Sequence, residues 1–242
     1  MMPGNLPASG PPGTTASYAV QRTALERYFD GTARQAWADL TSNVPVSGIR
    51  ATVRAGRDRM RATLLGWLPQ DLSGTRLLDA GCGTGALAGE VARRGASVLA
   101  VDVAGGLVDL ASLRTGAIAG PGSIDWRVGD MLDPAFGRFD YVVAMDSLIH
   151  YPLADIADAL TALAERTSKA MLFTFAPSTP VLATMHAVGK FFPRADRAPA
   201  IQPVAAARLR RRLAELPGWR IARDQRIASG FYTSHALELV RI

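Results

Sequence analysis

Residues 75–85 read Thr-Arg-Leu-Leu-Asp-Ala-Gly-Cys-Gly-Thr-Gly, a short apolar strand that runs directly into a glycine-rich turn. Glycine at alternate positions, here Gly81, Gly83 and Gly85, lets the backbone turn sharply from strand to helix and approach a ligand closely. In an open parallel sheet such a turn opens at the carboxyl ends of the strands, where ligands bind. The stretch therefore predicts the first strand–helix unit of an α/β sheet.

The chain after Leu72 alternates short apolar strands with helical segments. The predicted strands are 75–80, 97–102, 124–128, 139–145 and 169–175, and the predicted helices are 86–94, 104–114 and 155–166. This alternation indicates a parallel sheet covered on both faces. The last two strands, 219–227 and 231–241, are joined by a few residues around Gly230, and so short a link joins only antiparallel neighbours. We predict one Rossmann-like α/β domain over 71–242, with about seven strands and a C-terminal antiparallel hairpin.

Length and composition fit one globular domain with extra chain. The protein has 242 residues, 48% of them hydrophobic, and one cysteine, which excludes an internal disulfide. No run approaches the ~18 apolar residues that a membrane-spanning helix needs, and residues 1–17 lack the basic and apolar segments of a secretory signal. We therefore expect a cytoplasmic protein.

The N-terminal part divides into two predicted segments. Residues 1–17 contain four Pro and three Gly, which predicts a disordered arm. Residues 18–70 have helical periodicity and are expected to form a helical lid. Within them Arg50, Arg54, Arg57 and Arg61 recur at helical spacing along one ridge. The ridge is interpreted either as a solvated face or as an anion-binding face.

The positive charge is concentrated in the flanks. Residues 1–70 carry eight Arg and four acids, residues 203–226 carry seven Arg and two acids, and residues 71–202 carry eleven basic and fourteen acidic groups. Arginine-rich flanks suit an anionic partner, whether carboxylates, phosphates or a lipid surface.

Acidic residues follow three of the predicted strands. Asp102 ends the second strand about 20 residues after the glycine loop, where a carboxylate can accept the ribose hydroxyls of an adenosine ligand. Asp79 would repel a pyrophosphate but attract an ammonium or sulfonium group. Asp130, followed by Met131, supplies an acceptor for an adenine amino group. The set favours S-adenosylmethionine over the alternative, a nicotinamide dinucleotide.

The segment after the fourth strand would face the methyl acceptor. Residues 145–152 read Met-Asp-Ser-Leu-Ile-His-Tyr-Pro, without the Asn/Asp-Pro-Pro-aromatic pattern expected of an enzyme that methylates nucleic-acid amino groups. A nucleic-acid base is thus not the expected acceptor. His150 lies at the mouth of the predicted cofactor site and is a candidate catalytic residue.

From Tyr28 to the C-terminus the chain resembles the magnesium-protoporphyrin IX methyltransferases of chlorophyll and bacteriochlorophyll synthesis, which are class I methyltransferases. The glycine loop is shared by many methyltransferases and is weakly diagnostic. The more specific stretches are Tyr28-Phe29-Asp30-Gly31-Thr32 with Trp37, Leu148-Ile149-His150-Tyr151-Pro152, and Phe173-Thr174-Phe175-Ala176-Pro177.

The resemblance implies methyl transfer from S-adenosylmethionine to a propionate carboxylate of magnesium-protoporphyrin IX, with Tyr28 and His150 as the catalytic pair. His150 would accept a proton, orient the carboxylate or ligate the magnesium. No protein-bound metal is expected, because magnesium enters only with the porphyrin. The predicted cofactor-binding residues are Asp79, Gly81, Gly83, Gly85, Asp102, Asp130, Met131 and Asp146. Arg34, Arg50, Arg54 and Arg57 are candidates, by position only, for binding the second propionate of the substrate.

The expected partners are the porphyrin-carrying subunit of magnesium chelatase and an anionic membrane surface, without nucleic acid. Two alternative functions stay open. One is methylation of another small carboxylate or hydroxyl acceptor. The other is a non-catalytic, nucleic-acid-binding subunit that would use Arg208, Arg210, Arg211 and Arg212.

Overall fold

The computed structural model describes residues 14–31, 39, 41, 48–116, 120–178 and 200–242. Its strands are β1 (Arg76–Ala80), β2 (Ser97–Asp102), β3 (Ser123–Val128), β4 (Phe139–Ala144), β5 (Thr167–Phe175), β6 (Trp219–Ser229) and β7 (Tyr232–Arg241). Its helices are α1 (Ala16–Asp30), α2 (Gly48–Trp67), α3 (Ala86–Arg93), α4 (Gly105–Thr115), α5 (Leu153–Ala164) and α6 (Ala206–Ala214). Short 3₁₀ turns cover Pro134–Phe136 and Leu148–His150.

The seven strands form one sheet in the order β3-β2-β1-β4-β5-β7-β6. Strands β1 to β5 run parallel to one another, and β7 is antiparallel to both β5 and β6. The strand order reverses at β1, which lies between β2 and β4. A crevice at such a switch point is where open α/β sheets bind ligands. The predicted Rossmann-like fold with a C-terminal antiparallel hairpin is confirmed.

The sheet is buried on both faces because its strands are apolar at successive positions. Leu78 and Ala80 face a core shared with α1, α5 and α6, whereas Leu77 faces a second core shared with α2 and α3. Leu77 and Leu78 are fully buried, and burial of a leucine side chain stabilises the fold by roughly 1.5–3 kcal/mol. Two cores, one on each face, hold the strand ends in fixed register.

The β6–β7 hairpin turns through two residues, with Ser229 paired to Tyr232. Gly230 has a left-handed φ of 55°, and a Cβ there would lie 2.4 Å from Thr52 Oγ1 on α2. Glycine satisfies both the turn and this close approach. The hairpin thus packs directly beneath α2.

In the structure α1 begins earlier than the predicted boundary at residue 18. Thr15 accepts a hydrogen bond from the backbone N–H of Tyr18 at 3.0 Å and so caps the helix, which begins at Ala16. Residues 1–13 of the predicted arm and residues 32–38, 40 and 42–47 of the predicted lid lie outside the described residues. In the described part of the chain, no helix combines the length and apolarity needed to cross a bilayer.

Candidate active site

A cavity of about 540 Å³ opens at the carboxyl ends of β1, β2 and β4. Its walls include the glycine loop after β1, the ends of β2 and β3, the turn after β4, and residues of α1 and α2. The site therefore combines the sheet edge with the two N-terminal helices.

The glycine loop is held open toward the cavity by backbone contacts. The N–H groups of Gly81 and Cys82 donate to the carbonyl of Val101 at 2.8 and 3.0 Å. Gly81 has a φ of 84°, and a Cβ there would lie 2.3 Å from Cβ of Ser147. Only glycine permits the loop to approach the β4 turn this closely. Gly81, Gly83 and Gly85 all line the cavity.

Asp102 closes the loop from the end of β2. Its carboxylate accepts hydrogen bonds from the backbone N–H of Gly83 at 2.8 Å and of Ala104 at 3.0 Å. Burial raises its pKa, and these two hydrogen bonds oppose that shift. A carboxylate has about four acceptor positions, so two backbone bonds leave capacity for ribose hydroxyls.

Asp79 is the most perturbed carboxyl group of the site. It is 2% exposed, and its Oδ2 has no hydrogen-bond partner among the described residues. Burial, with a smaller contribution from the charge of Asp102, raises the pKa of Asp79 to about 7. A buried carboxylate on the cavity wall with an unsatisfied oxygen fits the cationic methionine end of S-adenosylmethionine.

Asp130, the predicted adenine acceptor, is in contact with α1. Its Oδ1 accepts from Tyr18 Oη at 2.8 Å and from the backbone N–H of Leu132 at 2.9 Å, and its Oδ2 accepts from Arg22 Nη1 at 3.1 Å. Met131 is buried and lines the cavity. Sequence reasoning missed Tyr18 and Arg22, although their spacing of four places them on one helix face.

Two further carboxylates hold the ends of α1. Asp155 on α5 accepts from the Thr15 hydroxyl at 2.6 Å and from the Ser17 hydroxyl at 2.8 Å. At the other end Asp30 accepts from the backbone N–H groups of Gly105 and Gly106 at 3.2 and 2.8 Å. Asp30 thereby caps α4, whose own N-cap is an alanine.

His150 ends the 3₁₀ turn after β4 and lines the cavity with 8% of its surface exposed. The Phe29 ring meets the His150 ring edge to face, with 6.1 Å between centroids. Tyr28 in turn meets Phe29 edge to face at 5.1 Å. The structure thus places His150 on the cavity wall and Tyr28 against Phe29.

Asp146 lies at the same strand end with only 3% of its side chain exposed. It accepts from Arg57 Nη1 at 2.7 Å, from Tyr232 Oη at 3.1 Å, and from the hydroxyls of Thr174 and Ser234, each at 3.2 Å. Sequence reasoning found Asp146 and Arg57 but assigned them to different ligands. The structure joins them in an ion pair.

The arginine ridge of α2 divides between the cavity and the outer surface. Arg54, Arg57 and Arg61 line the cavity, whereas Arg50 is exposed. Arg34, the fourth predicted substrate ligand, lies outside the described residues. Three members of the ridge thus line the cavity, and Arg50 is on the outer surface.

Two of these arginines make further hydrogen bonds. Arg54 Nη2 donates to the backbone carbonyl of Asp39 at 2.6 Å, and Arg61 Nη2 donates to Asp58 at 2.8 Å. Arg93 and Arg114, which sequence reasoning did not select, also line the cavity. Their positions on α3 and α4 carried no signal because a single helical arginine has no distinctive spacing.

Two family profiles match the chain. A profile described as magnesium-protoporphyrin IX methyltransferase C-terminus matches residues 144–241, and a profile described as methyltransferase domain matches residues 77–169. The first covers the β4 end, with Asp146 and His150, through the hairpin. The second covers the glycine loop and the acids that follow it.

Similar proteins extend the match over nearly the full chain. The magnesium-protoporphyrin O-methyltransferase of Rhodobacter capsulatus is 49% identical, over 92% of this chain and 98% of its own length. That of Synechocystis sp. is 28% identical over 91% and 96%. The crystal structure of magnesium protoporphyrin IX methyltransferase from Synechocystis PCC 6803 with bound SAH has a TM-score of 0.80 and 27% identity, covering 91% of this chain and 99% of that one. The chain therefore belongs to the magnesium-protoporphyrin O-methyltransferase family.

Proposed function

We propose that this protein transfers the methyl group of S-adenosylmethionine to a propionate carboxylate of magnesium-protoporphyrin IX, giving the monomethyl ester and S-adenosylhomocysteine in (bacterio)chlorophyll synthesis. As a family member it is an S-adenosylmethionine-dependent O-methyltransferase. The observation that carries the proposal is one cavity that contains the buried acids after β1 and β2, His150, and the arginines of α2.

The acidic half of the cavity suits the cofactor. S-adenosylmethionine would supply a methyl group on a positively charged sulfur. Asp79 would hold the ammonium group, Asp102 the ribose hydroxyls, and Asp130 with Met131 the adenine, while the glycine loop lets the ligand approach the backbone. Asp79 supports this assignment most directly, because a bound cation would relieve its unsatisfied oxygen.

The opposite half suits the acceptor. A propionic acid has a pKa of roughly 4–5 and is ionised at neutral pH, so its reaction needs alignment and exclusion of water more than a strong base. His150 would align that carboxylate or accept its proton if burial raises the acid's pKa. Tyr28, which packs against Phe29, the residue whose ring contacts His150, would orient the carboxylate from α1.

The arginines of α2 would bind the second propionate. A guanidinium group can grip a carboxylate with two parallel hydrogen bonds. Arg54 and Arg61 line the cavity, and so does Arg57, whose guanidinium is paired with Asp146.

We assign residues 18–70 the role of a lid. Support comes from α1, which is tied to carboxylates of the methyltransferase domain along its length, at Asp155 and Asp130, and whose own Asp30 caps α4. These contacts hold α1 over the cavity rim, where it would exclude water from the transferring methyl group.

We also propose a peripheral location on an anionic membrane surface and delivery of substrate by the porphyrin-carrying subunit of magnesium chelatase. The support is electrostatic. On α6 the side chains of Arg208, Arg211 and Arg212 are exposed, and Arg220 on the edge strand β6 is exposed beside them. Such a basic face attracts lipid headgroups or an acidic protein surface.

An activity assay tests the function directly. The purified protein is incubated with S-adenosylmethionine carrying a labelled methyl group and with magnesium-protoporphyrin IX, and the ester and S-adenosylhomocysteine are quantified. Equal amounts of both products are expected. Binding of both ligands without ester formation would favour the non-catalytic alternative. Faster methylation of another carboxylate or hydroxyl compound would instead favour an O-methyltransferase with a different acceptor.

The variant His150→Phe separates the roles of this residue. A catalytic or aligning role predicts a turnover number lower by about 100-fold or more, with unchanged cofactor affinity. A packing role predicts nearly normal turnover. A magnesium-ligating role predicts weaker binding of the metallated porphyrin and unchanged binding of metal-free protoporphyrin. Single-turnover methyl transfer with separate porphyrin and cofactor titrations distinguishes the three.

A further inference from the structure

Asp146 joins four segments that are distant in the sequence: the turn after β4, strand β5, strand β7 and helix α2. We propose that it is a positioning residue, which aligns the His150 turn with the glycine loop and fixes α2 against both. The inference rests on the proposed methyl transfer. It assigns Asp146 a different role from the cofactor ligand that its position in the motif predicts.

Hydrogen bonds from neighbouring side chains occupy the acceptor positions of the Asp146 carboxylate. A carboxylate offers about four lone-pair positions, and here four side chains donate to it: Arg57, Tyr232, Thr174 and Ser234. The backbone N–H of Asp146 also donates to Thr174 Oγ1 at 2.7 Å. With its side chain 3% exposed, Asp146 has little left to offer a cofactor hydroxyl or amino group.

The backbone at Asp146 is the second observation. Its φ of 55° makes it the one non-glycine residue in the left-handed region within the described part of the chain. Such a conformation in an L-residue persists when its surroundings hold it in place. The reversal directs Ser147 against Gly81 and starts the turn that ends at His150. The carboxylate network therefore sets the spacing between the cofactor loop and His150.

The network also reaches α2 through closely packed contacts. A Cβ at Gly56 would lie 2.5 Å from Cδ1 of Tyr232, so helix and hairpin touch beside the ion pair of Arg57 with Asp146. Burial, with the Asp146 charge, raises the pKa of Tyr232, so its hydroxyl stays protonated and donates. A change at either end of the network would reach the His150 turn through Asp146.

The test compares Asp146→Asn, Arg57→Gln and Tyr232→Phe with the wild-type protein. Asp140→Asn is the matched control, because Asp140 at the start of β4 is likewise paired with a basic side chain, Lys169, and accepts from a hydroxyl, Ser168, but lies away from the cavity. We expect single-turnover methyl transfer to fall about 10- to 100-fold in Asp146→Asn, with affinity for S-adenosylhomocysteine within about twofold of wild type. Asp140→Asn should retain its rate.

Coupling within the network is the second readout. The double variant Asp146→Asn/Arg57→Gln should lose no more rate than Asp146→Asn alone, because both changes disrupt one unit. Arg57→Lys should recover part of the rate lost in Arg57→Gln. In Tyr232→Phe, which removes one hydroxyl and retains the ring, the methyl-transfer rate should fall less than in Asp146→Asn. This variant should stay folded, so it tests the proposal even if Asp146→Asn does not fold.

Hydrogen exchange measures the positioning without any methyl acceptor. In the complex with S-adenosylhomocysteine, Asp146→Asn and Tyr232→Phe should increase amide exchange over residues 147–151 and leave residues 81–85 unchanged. This result would stand even if wild-type protein failed to methylate magnesium-protoporphyrin IX, an outcome that refutes the proposed function alone.

Three results overturn the proposal. A loss of S-adenosylhomocysteine affinity of about tenfold or more, confined to Asp146→Asn, would make Asp146 a cofactor ligand. A lower melting temperature with a normal rate would make the network purely structural. Unchanged exchange over residues 147–151 in both variants would show that Asp146 does not position the His150 turn.

Discussion

The raised pKa of Asp79 predicts that cofactor affinity depends on pH. In the ligand-free protein the pKa of Asp79 is about 7, because the carboxyl group is buried and lies near Asp102. The ammonium group of the cofactor requires the ionised form. At about pH 6 roughly one molecule in ten is ionised, and at about pH 8 roughly nine in ten are. Binding of S-adenosylhomocysteine should therefore be about tenfold weaker at the lower pH, or about 1.4 kcal/mol.

Calorimetric titration at several pH values, in buffers of different ionisation enthalpy, measures both the affinity and the protons released. Asp79→Asn should bind weakly at every pH and lose the pH dependence. Asp102→Asn controls for the neighbouring carboxyl group, whose pKa is also raised. Wild-type affinity that stays flat between about pH 6 and pH 8, or a dependence that persists in Asp79→Asn, would refute the assignment.

The raised pKa of Asp79 also makes the stability of the folded protein depend on pH. Because the folded pKa of about 7 lies above the ordinary value of 3.8 for an aspartate, the folded state binds more protons between these values, and stability falls as pH rises through that window. The full effect is up to about 4 kcal/mol. The melting temperature of Asp79→Asn, measured by circular dichroism, should therefore rise relative to that of the wild-type protein as the pH rises from about 5 to 8.

The other predictions concern the cofactor, the lid and the basic face. Asp102→Ala should weaken S-adenosylmethionine binding by roughly 1.5–3 kcal/mol, because ribose hydroxyls lose charge-assisted hydrogen bonds, and unchanged calorimetric affinity in a folded variant would remove Asp102 from the site. Arg22→Ala should speed dissociation of S-adenosylhomocysteine in stopped-flow experiments, since α1 loses its ion pair with Asp130; an unchanged rate would argue against the lid. Co-sedimentation with anionic vesicles should fade as salt rises, because exposed charges are screened over about 8 Å at physiological ionic strength; binding that persists in molar salt would indicate hydrophobic insertion.

The sheet could be predicted from the sequence because its signals are local. Strand boundaries agree within about two residues, since apolar runs and the glycine turns that end them lie in consecutive positions. The largest differences, two residues each, are at β5, which begins at Thr167 instead of 169, and at β6, which continues to Ser229 instead of 227. The extra residues of β6 pair with β7 across the two-residue turn, and Gly230 in that turn packs against Thr52 of α2.

Asp79, Asp102, Asp146 and His150 share the cavity wall for the same reason, because the carboxyl ends of parallel strands meet at one edge. The partners of the strand-end acids could not be predicted. Tyr18 is 112 residues from Asp130, and Arg57 is 89 residues from Asp146. Helical periodicity shows that such residues share a face, but only tertiary packing determines which carboxylate that face meets.

The four strand-end acids differ in how their charge is balanced. Asp130 and Asp146 are each paired with an arginine of the N-terminal helices, Arg22 and Arg57. Within the described residues no arginine pairs with Asp79 or Asp102, and burial raises the pKa of both. Because an unpaired buried carboxylate destabilises the fold, these two are the positions at which a cationic, hydroxyl-bearing ligand contributes most. The arginine-paired acids contact α1 and α2, and we expect the unpaired acids to bind the cofactor.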